Sequence, residues 1–148
     1  MRYISESLNN HFFIEINYLI LLTFWVNIID SGAVLDISFK TTKFEKEFNE
    51  EKRLIKIHGS RRAKVIKIRL AELRAASSLY DLGPPYDGPG RCHELTGNRK
   101  GQLSVDLDHP YRLIFVPNHK PIPSKSNGGL DWKQVTSIMI IGIEDTHE

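Results

Sequence analysis

The chain has 148 residues and a mass of 17.0 kDa, which suits one compact domain better than two. Apolar residues at 41% and charged residues at 26% exclude a collagen-like, mucin-like or largely disordered chain. A net charge of +2 is too small to imply a nucleic-acid partner, and the single cysteine, Cys92, cannot form an internal disulfide. The charge is unevenly placed: residues 40–74 hold twelve Lys/Arg against five Asp/Glu.

The N-terminal stretch differs from the rest. Fourteen of the eighteen residues from Phe12 to Ile29 are apolar, but Glu15, Asn17 and Asn27 interrupt the run, and Arg2 is the lone positive flank. A membrane span wants about 20 apolar residues with few interruptions. A signal peptide would explain Ser31-Gly32-Ala33 but wants a basic start. An extra packed helix is a further alternative. The reading adopted is that residues 1–34 form an apolar extension outside the core domain, as a start codon assigned too early would produce. The domain is then residues 35–148.

From Leu35 to Lys40 apolar and polar residues alternate, the signature of a half-buried strand. Thr41 or Thr42 can cap a helix, with Glu45 as a capping-box partner for Thr42. Phe44, Phe48 and Ile55 lie at helical spacing, and Gly59 stops that helix after His58. Ser60 caps a second helix with an apolar stripe of Ala63, Ile66, Leu70 and Leu73. Val65 and Ile68 fall on its other side among Arg61, Lys64, Lys67 and Arg69, so the pair reads as a helical hairpin with a basic outer surface.

Residues 83–90 are too rich in Pro and Gly for a regular ladder. Short strands are predicted at Arg91–Leu95, Gln102–Leu107 and Tyr111–Val116, then a polar loop at 118–131 and a last, nearly all-apolar strand at Val135–Ile143. The order β-αα-β-β-β-β segregates helices from strands and predicts an α+β fold, with the hairpin packed on a small, mainly antiparallel sheet.

Among chemical signals, the six histidines and Cys92 show no metal-ligand spacing, and there is no nucleophile elbow, phosphate loop or dinucleotide fingerprint. Alternation makes Cys92 a small core residue rather than a nucleophile. Two polar groups remain. Residues 91–101 carry Arg91, His93, Arg99 and Lys100 through a glycine-punctuated turn suited to phosphate, and Glu144-Asp145-Thr146-His147 follows the last strand. A plain hairpin turn and a frayed terminus are the alternatives.

These motifs, Arg91-x-His93-x-Leu95-x-Gly97-x-Arg99-x-Gly101, Ser104-Val105, Tyr111-Arg112-Leu113-Ile114-Phe115 and Asp145-Thr146-His147, resemble the RelE/ParE superfamily of bacterial toxins. The branch most like it is the HigB-like "plasmid maintenance killer" group, some of whose relatives are labelled killer suppression protein. The resemblance implies the toxin of a type II toxin–antitoxin system: a ribosome-dependent mRNA endonuclease that needs neither metal nor small-molecule cofactor. It also implies a cytoplasmic protein with no membrane partner, neutralised by a cognate helix-turn-helix antitoxin.

Carried over by position, His93, Asp145 and His147 match catalytic positions, and Arg112 matches the arginine that faces the phosphate. Arg91, Arg99 and Lys100, with Arg61, Arg62, Lys64 and Lys67 on the hairpin, become candidate RNA contacts. Two positions depart: Thr96 stands where many relatives have lysine, and Thr146 where many have tyrosine, so Arg99 or Lys100 is expected to supply the missing charge. The rival expectation is a non-enzymatic binding protein, either a ParE-like gyrase poison or a degenerate toxin. A ParE-like protein would lack the histidine set. An internal Arg112–Asp145 salt bridge is the non-catalytic alternative for that arginine.

Overall fold

The computed structural model describes residues 34–145, so the apolar N-terminal stretch, Thr146 and His147 lie outside the described residues. Strand β1 spans Asp36–Phe39 and leads into helix α1, Thr42–Asn49. The cap is Thr41, whose Oγ1 accepts the Phe44 N–H at 3.1 Å. The helix predicted to continue to His58 breaks instead at Glu50, which is extended (φ −105°, ψ 103°). Helix α2 spans Glu51–Ala75 and carries a non-helical Gly59 (φ 77°, ψ 159°).

Gly59 folds α2 into two antiparallel arms. The Lys67 Nζ lies 2.6 Å from the Glu51 Oε1 although sixteen residues separate them. In a straight helix that separation would be about 24 Å, at about 1.5 Å per residue. The hairpin of the sequence reading is therefore present, turning where Gly59 stands. The extra break at Glu50 resets the helical phase: Leu54 is fully buried, whereas Ile55 is 41% exposed. The predicted stripe Ala63, Ile66, Leu70 and Leu73 is buried throughout, and Ile68 is exposed.

After a 3₁₀ turn at Leu79–Leu82 come β2 (His93–Glu94), β3 (Leu103–Asp106), β4 (Tyr111–Pro117) and β5 (Ser137–Asp145). Strand β2 is shorter than predicted because Arg91 takes a left-handed conformation (φ 46°). The five strands lie in the order β1-β5-β4-β3-β2, antiparallel except for β1 beside β5. A β-bulge after Ile114 shifts the β4–β5 register.

Leu103, Val105, Leu113, Phe115, Ile138 and Ile140 pack into one core with Leu54, Ile66, Leu70 and Leu73 of α2. Helices thus sit on one face of the sheet. This is the α+β arrangement expected; alternation puts Ser104, Asp106 and Arg112 on the opposite face, and the bulge brings Glu144 of β5 to the same side. Among the described residues no helix is long and apolar enough to cross a membrane.

Candidate functional site on the open sheet face

The face of the sheet away from the core carries an ionic network. Asp106 and Arg112 are register partners across β3 and β4, and Arg112 is in turn opposite Glu144 on β5. The Arg112 Nε lies 3.1 Å from the Asp106 Oδ1, an ion pair without an aligned hydrogen bond. The other Asp106 oxygen is 3.8 Å from the Arg91 Nε. One carboxylate therefore sits between two guanidiniums. Arg99, from the turn after β2, pairs with Glu144 and so reaches over the two intervening strands. Three arginines against two carboxylates leave this face with a positive excess.

His93 lies within the network. It is 4% exposed, and its Nδ1 is 2.7 Å from the Arg91 carbonyl oxygen. A carbonyl can only accept, so Nδ1 carries the proton and Nε2 presents a lone pair when the ring is neutral. The Nε2 faces the Ser104 hydroxyl at 3.3 Å and the Arg112 Nη1 at 3.5 Å. The Tyr86 ring stacks on His93, with centroids 4.2 Å apart and planes 18° apart. An imidazole lone pair beside an arginine is the pairing needed to move a proton next to a held phosphate.

Arg91, Asp106, Tyr111 and Arg112 line an open cleft of about 350 Å³ together with Leu107, His109 and Pro110. Asp145 closes β5 opposite Tyr111, one register step from Arg112. Arg112 pairs with Asp106. His147 lies outside the described residues. Lys100 is exposed in the β2–β3 turn and lines a separate groove with Glu94.

The basic hairpin is divided in its roles. Arg62 donates to the Asp108 Oδ1 at 2.8 Å and lies 3.3 Å from the centre of the Tyr111 ring, so it fixes the β3–β4 turn. Lys67 pairs with Glu51. Arg61 and Lys64 are exposed and make no ion pair among the described residues. Arg69, also read as part of the basic surface, ties α2 to the strands: it donates to the Asp106 carbonyl and to the Pro89 carbonyl, each at 2.8 Å, and pairs with Glu72.

Sequence reasoning missed Asp106, Tyr86 and His109. Alternation from Ser104 would have placed Asp106 on the same face as Arg112, whereas nothing in the pattern singled out Tyr86 in its Pro/Gly loop. Cys92 is 2% exposed, and burial, with the nearby Glu94 charge, pushes its thiol up to about 12, which fits a core residue. Among the described residues no group of three or more His, Cys, Asp or Glu could hold a metal ion.

No family model matches this chain, and no curated protein matches it. Solved structures similar to it include the YoeB–YefM complex from Staphylococcus aureus, at 16% identity over 74% of this chain and 94% of that chain, with a TM-score of 0.41. A YoeB/ParE toxin from Agrobacterium tumefaciens is 10% identical over 76% of this chain and 99% of its own, with a TM-score of 0.44. The Staphylococcus aureus YoeB dimer is 20% identical over 74% and 94% of the two chains, with a TM-score of 0.42.

Proposed function

We propose that this chain is the toxin of a type II toxin–antitoxin pair, of the HigB-like RelE/ParE kind, and that it cleaves mRNA on the ribosome. The observation that carries this reading is the placement of Arg112 on the open sheet face, 3.5 Å from the lone-pair nitrogen of His93. In this reading Arg112 holds the scissile phosphate, and His93 Nε2 takes the ribose 2′-OH proton. The 2′-oxygen then attacks phosphorus, and the 5′-oxygen leaves with a proton from His147, which Asp145 orients. Arg91, Arg99 and Lys100 hold neighbouring phosphates. Arg61 and Lys64 are the hairpin cations open to ribosomal RNA, without sequence choice.

The partners in this reading are the ribosome and mRNA in the cytoplasm, and a helix-turn-helix antitoxin. The exposed Ile55 and Ile68 on the hairpin, lining one groove with Lys64 and Lys67, offer that antitoxin an apolar and basic surface.

A second reading, a non-enzymatic binding protein such as a gyrase poison, draws on one observation: His93 is only 4% exposed, under the Tyr86 ring. Induced expression followed by RNA sequencing and a supercoiling assay separates the two. Depletion of translated mRNA with 5′ ends inside codons supports the nuclease. Growth arrest with intact mRNA and inhibited supercoiling overturns it.

A further inference from the structure

Tyr86 has three properties that the proton-transfer chemistry does not use. Its ring lies flat on His93, yet the residue is 57% exposed, so one face is covered and the other is open to solvent. Its backbone is left-handed (φ 67°), a conformation that bulky residues rarely adopt unless the surroundings hold them there.

The surroundings do hold it. The Tyr86 N–H donates to the Cys92 carbonyl at 3.0 Å, the Asp87 N–H to the Pro84 carbonyl at 2.9 Å, and the Arg69 guanidinium to the Pro89 carbonyl at 2.8 Å. The ring is therefore positioned before any ligand arrives. The imidazole that it covers is flanked by cations: Arg91, whose side chain is 60% exposed and whose carbonyl fixes His93, and Arg112, 3.5 Å from the same ring.

We infer that the open face of Tyr86 is a stacking platform for one unpaired nucleobase of the RNA, giving a base–Tyr86–His93 sandwich with flanking phosphates on Arg91 and Arg112. This inference rests on the nuclease reading and names how that site orients its substrate. The cations favour a polyanion over a basic peptide. A flat aromatic surface accepts any base, because each has a π-face. Tyr86 is thus a positioning residue, and its hydroxyl takes no part.

The test uses the full chain and a short single-stranded RNA that carries one 2-aminopurine and is 2′-O-methylated so that it is not cut. Stacking on Tyr86 quenches the fluorescent base. Tyr86→Phe should bind and quench as the wild type does. Tyr86→Leu keeps apolar bulk over His93 but should lose the quench and weaken binding about tenfold or more. In ribosome-dependent cleavage, Tyr86→Leu should raise KM while leaving kcat nearly unchanged. Thermal melts of both variants confirm that they are folded. If Tyr86→Leu binds, quenches and cuts like the wild type, the platform is wrong while the nuclease reading stands. If the wild type neither binds the oligonucleotide nor cuts mRNA, the nuclease reading falls and takes the platform with it.

Discussion

Arg112 on β4 and Asp106 on β3 face each other across the ladder, with the Nε–Oδ1 distance at 3.1 Å. Both side chains are more than a quarter exposed, at 27% and 29%. A pair so accessible contributes about 0–1 kcal/mol to folding, and less in salt. Asp106 also faces Arg91, so it restrains both cations where a phosphate would bind.

Arg112→Ala should therefore shift the melting temperature by only a few degrees while lowering mRNA cleavage about a hundredfold or more. Calorimetry and a ribosome-dependent cleavage assay measure the two quantities separately. A large loss of stability, with normal cleavage by the remaining folded fraction, would make Arg112 a structural residue only.

The break at Glu50 predicts a contrast between adjacent positions. Leu54 is fully buried and Ile55 is 41% exposed. Leu54→Ala should cost about 2–5 kcal/mol in urea unfolding, whereas Ile55→Ala should stay within about 0.5 kcal/mol. Equal costs would mean that α1 and the first arm of α2 form one continuous helix.

Gly59 adopts φ 77° and ψ 159°, a region open essentially to glycine, and an added Cβ there would meet nothing within 4 Å. The cost of Gly59→Ala is thus a backbone cost, about 1–3 kcal/mol. The same measurement on Gly129→Ala, in the 118–131 loop, gives a reference for a positive-φ glycine (φ 84°) that joins no helical arms. An unchanged midpoint for Gly59→Ala would show that the hairpin does not need this turn.

Cys92 predicts a pH effect. Burial raises its thiol from 9.0 to about 12, so the folded state keeps the proton in a range where the unfolded state releases it. Stability is then fully present below pH 9 and is lost as pH rises towards 12, at no more than about 1.4 kcal/mol per pH unit. Denaturant melts between pH 8 and pH 10.5 should fall more steeply for the wild type than for Cys92→Ala. Parallel slopes would show that the thiol is solvated.

Much of this architecture can be read from residue spacing, and the failures have local causes. The stripe Ala63, Ile66, Leu70 and Leu73 faces the core because one uninterrupted helical period carries it. A period counted from Phe44 and Phe48 misses Leu54 because it runs straight through Glu50, where one extended residue changes the phase. Alternation put Arg112 on the right face, but its partner depends on the β3–β4 register, which the Asp108–Pro110 turn sets and alternation alone does not. Tyr86 sits in an aperiodic loop, where only the folded contacts with Cys92 and His93 give it an orientation.

The pairing of β1 with β5 has a consequence for how the protein forms. Ser38 donates to the Ile138 carbonyl, and Asp36 meets Ser137, about a hundred residues further along the chain. Contacts so distant in sequence close late, after the local hairpins β3–β4 and α2 have formed. Strand β5 also brings Glu144 to the open face. While a ribosome is still making the chain, the cationic face of β2–β4 exists without the Glu144 carboxylate that later pairs with Arg99. A growing chain is thus most exposed to polyanions before its sheet closes, and an early-binding partner would meet a face more basic than the finished one.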